Sequence, residues 1–275
     1  MLIIIWYILF LGSASLIFFG VGFDLDSFTH VLTYPALILI LMFSFVFAVL
    51  LLLSSVRLYG EIRDKYPTNN KHNHYIANSL LTIGAYFLRL KVITTGKENL
   101  PTGNFVLMGN HQENYDIIIV KPILKDYTIN FIGKKSLFKA PFIGKWMSII
   151  GNIPISPFAD RSAAESIVKG IKSVKSGNPI GIFPEGKRSF SNEMIEFKPG
   201  AFKLAMKSKT DILIVTFYDA AKIKMRIPLR KQKVYVHFNQ LLRYEEFKDL
   251  SSQELSSKVK AIIQEKLDDF KAQLG

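Results

Sequence analysis

A histidine and an aspartate five positions apart are the residues best suited to chemistry in this chain. His111 and Asp116 follow an apolar run, residues 105–108, that predicts a buried strand, and Gly109 ends that run. An imidazole can accept a proton near neutral pH, and a carboxylate on its other nitrogen fixes the tautomer and stabilises the imidazolium. We therefore predict a general base at the carboxyl end of a strand, where α/β proteins place ligands and catalysis.

The spacing of this pair sets a condition on the local structure. In a continuous helix, residues five apart lie roughly 140° apart around the axis. The two side chains can meet only if His111 lies in the turn before a helix and Asp116 in its first turns. Gly109 and Asn110 permit such a turn. Taken alone, residues 110–116 leave an equal alternative: a surface histidine beside an unrelated aspartate at a helix start.

A second polar turn follows another apolar run, residues 179–183. A proline and Gly186 favour a turn there, with Glu185 and Arg188 displayed at its tip. An arginine can hold a phosphate through two parallel N–H donors, and Lys187 adds positive charge beside it. Alone, such a turn is also typical of an ordinary exposed loop.

The elements that must position these residues alternate along the chain from residue 91 onward, which is typical of α/β folds. We predict a mixed, mostly parallel central sheet flanked by helices. The predicted strands cover residues 92–94, 105–108, 127–132, 152–155, 179–183, 212–217, 222–227 and 234–238. The predicted helices cover residues 112–124, 161–176 and 201–207, and a final helix opens with the capping box of Ser251 and Glu254.

Charge is distributed unevenly along the 275 residues, which carry a net charge of +13. Residues 1–56 hold only Asp24 and Asp26 as charged residues, so 35 basic and 20 acidic residues lie in the remainder, a net charge of +15. A strongly basic body predicts an anionic partner, such as phospholipid, a phosphorylated substrate, an acidic carrier protein or nucleic acid. The chain has no cysteine, which excludes disulfides, thiolate metal sites and cysteine nucleophiles.

Two uncharged apolar runs occupy the N-terminus, residues 2–23 and 31–56. Each reaches the ~20 residues that a spanning helix needs, so we predict a transmembrane helical hairpin. A signal peptide is the alternative for the first run, but a basic leading region and a clear cleavage site are absent. A re-entrant or interfacial first segment also stays open.

Basic residues flank only one end of this hairpin. Residues 24–30 contain no Lys or Arg, whereas four follow the second run: Arg57, Arg63, Lys65 and Lys71. The positive-inside rule then predicts an inner-membrane protein whose catalytic domain faces the cytoplasm. The predicted division is a membrane hairpin, a linker with an amphipathic helix, and the catalytic domain: residues 1–66, 67–90 and 91–275.

The segment before the catalytic domain contains two further histidines. We predict His72 and His74 to be linker residues, because two histidines without other ligands make a weak metal site. Residues 75–90 predict an amphipathic helix. Packing on the body and lying on the bilayer are equally open for it.

The two polar stretches, taken together and in this order, form a pattern that chance similarity does not readily produce. Asn110-His111 with Asp116, followed by Phe-Pro-Glu-Gly-x-Arg-Ser at residues 183–189, resemble the motifs of the glycerolipid acyltransferase superfamily. The match is nearest to the bacterial 1-acylglycerol-3-phosphate (lysophosphatidate) acyltransferases. It covers roughly residues 91–237, and includes similar connecting segments at residues 96–101, 133–138, 151–155 and 197–201.

The resemblance implies a role for each motif residue. His111 would deprotonate a glycerol hydroxyl that attacks a thioester carbonyl, and Asp116 would orient it. The implied substrate-binding residues, with Arg188 on the phosphate, are Asn110, Lys134, Lys135, Arg161, Glu185, Gly186, Lys187 and Arg188. The resemblance implies no metal and no cofactor, and the acyl donor would be acyl-carrier-protein or acyl-CoA. Residues 138–150 could line an acyl groove, although core or membrane contact is more usual for such a stretch.

Three positions depart from the family pattern. Pro157 stands where an arginine is usual, so Arg161 either substitutes for it or the phosphate contact is missing. Ile214 stands where a proline is usual. These first two departures leave open another lysophospholipid or glycerolipid acceptor, whereas Lys187, in place of a common threonine, supplies some of the lost positive charge.

Two other classes of protein are compatible with parts of this sequence. A non-catalytic lipid-binding relative would need no histidine–aspartate pair. A nucleic-acid binder is indicated by charge alone, without a recognisable motif. The expected partners are therefore membrane phospholipids, lysophosphatidate and the acyl donor, with no nucleic acid.

Overall fold

The structure is a computed structural model that describes residues 70–140, 143–158, 160–225 and 230–274. The predicted hairpin and the first domain, residues 1–66, lie outside these ranges, so both stay predictions. Across the described ranges, no helix combines the length and apolar composition that crossing a membrane requires.

Helices and strands alternate along the described chain. The strands are β1 (Leu90–Thr95), β2 (Val106–Gly109), β3 (Asn130–Lys134), β4 (Ile153–Ile155), β5 (Ile180–Ile182), β6 (Ile212–Tyr218) and β7 (Gln232–Leu242). The α-helices are α1 (Lys71–Phe87), α2 (Tyr115–Ile123), α3 (Ile143–Ile149), α4 (Arg161–Lys175), α5 (Lys203–Ser208), α6 (Lys222–Met225) and α7 (Ser252–Leu274). Short 3-10 helices cover Lys97–Asn99, Lys135–Lys139, Pro199–Phe202 and Tyr244–Glu246.

The strands form one seven-stranded sheet in the order β1-β7-β6-β2-β5-β3-β4. Every neighbouring pair is parallel except β6 and β7, which are antiparallel. The prediction of a mixed, mostly parallel sheet is confirmed. Strand β2 lies between β6 and β5, so the carboxyl ends of these three strands meet at one edge of the sheet.

Helices cover both faces of the sheet, as predicted. Along β2 the buried side chains alternate between the two faces, as the pleat requires. Val106 and Met108 pack into the cluster that holds residues of α4, α5 and α7, whereas Leu107 packs into the cluster that holds residues of α2. Both faces of the sheet are therefore buried from solvent, which explains the continuous apolar runs of the parallel strands.

Helix α1 confirms the predicted amphipathic helix but begins at Lys71, so His72 and His74 both belong to the helix and the prediction of linker residues is wrong. The helix packs against α2, and His74 on its first turns is buried rather than part of an exposed linker. The Nδ1 of His74 lies 3.0 Å from the Nζ of the buried Lys121. Tyr75, Tyr86 and Phe87 are exposed.

The predicted strand over residues 222–227 is wrong, because residues Lys222–Met225 form helix α6. Strand β6 ends at Tyr218, and Asp219 then adopts a left-handed φ of 67° that turns the chain. The turn continues into a helix, since the N–H of Lys222 donates to the carbonyl of Asp219 at 3.3 Å. Basic and apolar residues thus alternate over residues 222–225 within a helix, while residues 226 and 227 of the predicted strand lie outside the described ranges.

Two further expectations have clear outcomes. The Ser251–Glu254 capping box is confirmed, with the Glu254 carboxylate accepting from the Ser251 N–H at 2.7 Å. In the apolar segment at residues 138–150, Trp146, Ile149 and Ile150 are buried in the body. Those three side chains therefore serve as core.

Candidate active site

His111 and Asp116 meet at the carboxyl end of β2. The Nδ1 of His111 lies 2.7 Å from the Oδ2 of Asp116. His111 precedes α2, and Asp116 lies in the first turn of that helix, which is the arrangement that the spacing requires. Because a carboxylate only accepts, Nδ1 carries the proton and donates it to Asp116.

The Asp116 carboxylate is completely buried and also organises the loop before α2. The same Oδ2 accepts the backbone N–H of Gln112 at 2.7 Å and that of Glu113 at 3.0 Å. Burial raises the pKa of Asp116 above its ordinary value, while the hydrogen bonds from His111 and the two backbone amides oppose that rise. Because burial makes the Asp116 carboxylate more basic, it accepts a stronger hydrogen bond from Nδ1 of His111.

The second ring nitrogen of His111 is available for proton transfer. Within the described residues, Nε2 has no hydrogen-bond partner, and the side chain is 14% exposed. The imidazole stacks on the ring of Phe183, with centroids 4.2 Å apart and an angle of 11° between the planes. The bond to Asp116 and the stack on Phe183 together fix the plane of the base.

Glu185 connects the two sequence motifs. Since β2 and β5 are parallel neighbours, the turn after β5 reaches the loop after β2. One oxygen of the buried Glu185 accepts the backbone N–H of His111 at 2.9 Å, and the other accepts that of Ile195 at 3.4 Å. Burial raises the pKa of Glu185 to about 7, partly offset by these backbone amides. Both carboxylate oxygens of Glu185 therefore accept hydrogen bonds from backbone N–H groups, one of which belongs to His111.

Asn110 also uses its side chain internally. Its amide donates to the carbonyl of Phe217 at 2.9 Å and accepts the N–H of Phe217 at 2.8 Å, which extends the pairing of β2 with β6. The buried Gln112, which the sequence did not single out, donates to the same carbonyl and accepts the N–H of Ala220 at 2.8 Å. No local pattern marks these amides, because their partners lie more than 100 residues away.

Backbone hydrogen bonds join the turn after β5 to the loop that carries His111. The N–H of Ser189 donates to the carbonyl of His111 at 2.8 Å, and that of Phe190 to the carbonyl of Gln112 at 3.2 Å. These two hydrogen bonds bring Arg188 beside Glu113, two residues after His111, and the Glu113 carboxylate lies 3.2 Å from Nη1 of Arg188. Glu113 carries no motif signal in the sequence that would mark it as a site residue.

The other predicted substrate-binding residues fall into two groups. Lys134, Lys135, Lys187 and Gly186 are exposed, and Gly186 has a φ of 68° that suits glycine. The side chain of Lys198 crosses this glycine, because a Cβ on Gly186 would lie 3.0 Å from its Nζ. Lys198 is therefore a further cation at the turn that the sequence analysis had not selected.

Arg161 stands apart from this group in its contacts. Its side chain is 93% exposed at the start of α4, and its Nε pairs with Glu165 at 3.2 Å, one turn along the same helix. Among the described residues, no hydrogen bond links it to the histidine loop.

Comparison with known proteins shows the family to which the chain belongs. The acyltransferase family profile matches residues 91–218. A 1-acyl-sn-glycerol-3-phosphate acyltransferase of Borreliella burgdorferi is 33% identical over 198 residues, which are 70% of this chain and 77% of that protein. The chain belongs to the 1-acylglycerol-3-phosphate acyltransferase family. The predicted family is confirmed, and this acyltransferase is an enzyme of acyl-group transfer.

Other relatives of this acyltransferase differ in length. A probable 1-acyl-sn-glycerol-3-phosphate acyltransferase of Mycoplasma genitalium is 26% identical, with 86% of this chain and 90% of that protein aligned. A chloroplastic enzyme of Arabidopsis thaliana is 31% identical, but the alignment spans 48% of its length. The crystal structure of a 1-acyl-sn-glycerophosphate (LPA) acyltransferase from Thermotoga maritima matches with a TM-score of 0.60 and 22% identity, covering 72% of this chain and 79% of that one. That match shows a shared fold.

Proposed function

We propose that this acyltransferase moves a fatty acyl group from a thioester donor to the sn-2 hydroxyl of 1-acylglycerol 3-phosphate, which gives phosphatidate for phospholipid synthesis. The observation that carries the proposal is the His111–Asp116 pair at 2.7 Å. Its Nδ1 is committed to a buried carboxylate, so Nε2 is left to take a proton.

The proposed reaction needs one base and no covalent intermediate on the protein. Nε2 of His111 removes the hydroxyl proton as the hydroxyl oxygen bonds to the thioester carbonyl carbon. Asp116 stabilises the imidazolium that forms. When the tetrahedral intermediate collapses, the carbon–sulfur bond breaks and the imidazolium returns its proton to the thiolate. The products are the ester and the free thiol of the donor.

The positive charge of the protein suits anionic substrates for this reaction. Residues 57–275 carry a net charge of +15, which attracts lysophosphatidate as well as acyl-carrier-protein or acyl-CoA. At the site, Arg188 is proposed to bind the acceptor phosphate, with charge added by Lys134, Lys135 and Lys187. Asn110, Glu185 and Gly186 are proposed to shape the loops that hold the acceptor, since two of them bond the protein's own backbone.

The membrane is the proposed location of both substrate and enzyme. Residues 2–23 and 31–56 are proposed as an inner-membrane hairpin, because both are long, apolar and uncharged. The basic body is then proposed to face the cytoplasm, where both acyl donors occur. A lipid acceptor would enter the site from the adjacent leaflet.

An acceptor screen tests the proposal. Purified full-length protein would be assayed for acyl transfer to lysophosphatidate, glycerol 3-phosphate and lysophosphatidylcholine, with acyl-CoA and acyl-carrier-protein as donors. We expect transfer to lysophosphatidate at the highest kcat/KM, and no activity in His111→Ala. Activity of His111→Ala at the wild-type level would exclude the proposed base.

A different lysophospholipid acceptor is the second candidate. It is favoured by Pro157 and by the position of Arg161, whose exposed side chain pairs with Glu165. If no arginine of this region contacts the phosphate, the site would discriminate less strongly for a terminal phosphate. A higher kcat/KM for lysophosphatidylcholine than for lysophosphatidate in the same screen would support this candidate.

A further inference from the structure

Arg188 is held from two sides by residues outside the motif that contains it. Its Nη1 donates to Oε2 of Glu113 at 3.2 Å, and its guanidinium carbon lies 4.7 Å from the ring centroid of Phe190. An exposed arginine ordinarily samples many rotamers, so two simultaneous contacts restrict it substantially.

Glu113 is buried far more deeply than its partner. Its side chain is 4% exposed, against 36% for Arg188. Oε2 also accepts the N–H of Asn114 at 2.9 Å, and Oε1 is buried with no hydrogen-bond partner in the described part of the chain. A carboxylate removed from water in this way is costly unless a cation compensates it. Among the described contacts, Arg188 is the cation that does so.

Phe190 makes the second contact from an unusual backbone conformation. Its φ of 59° lies in the left-handed region, which a bulky aromatic residue rarely adopts. The bond from its N–H to the carbonyl of Gln112 holds it there. The strained conformation places the ring against the guanidinium, where a cation–π contact is favourable.

These contacts leave most of the guanidinium available to a ligand. Of its five N–H donors, Arg188 uses one on Glu113, and its other donors have no hydrogen bond among the described residues. Two adjacent free N–H groups match two oxygens of a phosphate. We propose that Glu113, assisted by Phe190, is the positioning residue that presents Arg188 to the acceptor phosphate. This inference rests on the phosphate-binding role of Arg188 in the proposed function.

The proposal predicts an effect on acceptor binding rather than on the chemical step. Glu113 acts through Arg188, so its loss should raise the KM for lysophosphatidate and leave the KM for acyl-CoA unchanged. We expect about a 10-fold rise for Glu113→Ala, with kcat within about threefold of wild type. Glu113→Gln keeps an oxygen that can accept from Arg188, so its rise should be only about threefold.

A double-mutant cycle tests whether Glu113 acts through Arg188. Kinetics would be measured for wild type, Glu113→Ala, Arg188→Ala and the double variant, with the exposed Glu98→Ala as the control for loss of a carboxylate. If Glu113 only positions Arg188, the double variant should have the KM of Arg188→Ala. Additive effects, or a fall in kcat with unchanged KM for lysophosphatidate, would overturn the proposal.

Calorimetric binding of glycerol 3-phosphate separates this inference from the acyl-transfer function. Weaker binding in both Glu113→Ala and Arg188→Ala supports the positioning role, even if lysophosphatidate proves not to be the preferred acceptor. Binding by Glu113→Ala at the wild-type Kd overturns the positioning role. Failure of the proposed function would appear differently, as absence of transfer to lysophosphatidate by the wild-type protein.

Discussion

The Oδ2 atom of Asp116 accepts the Nδ1 proton of His111 at 2.7 Å and, at the same time, the N–H groups of two residues that lie between them in sequence. One buried oxygen therefore fixes both the imidazole and the loop that carries it. Orientation of the base and conformation of the loop are consequently a single property of this carboxylate.

Replacing Asp116 with Asn should remove most of the activity. The oxygen of an asparagine could accept the same three N–H groups, but a neutral amide cannot stabilise the imidazolium that forms. Its NH2 group would also be buried at the Oδ1 position, which has no hydrogen-bond partner among the described residues. We expect kcat to fall by about 10³-fold to 10⁴-fold. Steady-state acyl transfer measures this, with thermal unfolding to show that the variant is folded. A folded variant with kcat near wild type would exclude this role for Asp116.

Replacing Gly109 with Ala should destabilise the strand that ends at the base. A Cβ there would lie 2.5 Å from the backbone oxygen of Val215 and 2.6 Å from its Cγ1, on the neighbouring strand β6. We expect a loss of about 1–3 kcal/mol in the free energy of unfolding, together with reduced activity. Gly103→Ala is the matched control, because a Cβ at Gly103 meets nothing within 4 Å. Equal stability of the two variants would contradict the prediction.

The buried Lys121 should make stability depend on pH above neutrality. Burial lowers its pKa from 10.5 to about 7, and its Nζ contacts only His74 and the carbonyl of Ile129 among the described residues. Between pH 7 and 10.5 the unfolded chain binds more protons at this residue, so stability rises with pH through that window. The slope is at most about 1.4 kcal/mol per pH unit.

Two other buried groups with shifted pKa values, His74 and Glu185, titrate below the upper part of this window. Burial lowers the pKa of His74 to about 3, and Glu185 titrates at about 7 in the folded state, so neither contributes between pH 8 and pH 10. Denaturant unfolding at several pH values would measure the slope. Lys121→Met should flatten it, whatever its effect on absolute stability. An unchanged slope in that variant would assign the pH dependence elsewhere.

Arg161 and Arg188 should differ sharply as phosphate contacts. Arg161 is exposed and pairs within its own helix, whereas Arg188 is fixed beside the histidine loop. We expect Arg161→Ala to change the KM for lysophosphatidate by less than about twofold, since exposed helical ion pairs contribute little. Arg188→Ala should raise it by at least about 30-fold. An effect of Arg161→Ala as large as that expected for Arg188→Ala would contradict this difference and indicate that Arg161 contacts the phosphate.

The sequence alone determined the class of fold and the enzyme family. Strand-length apolar runs alternating with helical stretches predicted the α/β sheet. Strands of a parallel sheet are buried on both faces, so each is a continuous apolar run that can be recognised in the sequence. The types and order of residues in the two motifs predicted the family. The condition on His111 and Asp116 also followed from helix geometry, and α2 begins between them.

Only the tertiary structure decided how distant residues meet. The order of strands places β5 beside β2, and this adjacency brings Glu185 to the His111 amide and Arg188 to Glu113. Periodicity reports which side chains are buried, but it does not report which strands are neighbours. Local sequence likewise gives no sign that His74 is buried, because its partner Lys121 is 47 residues away in sequence.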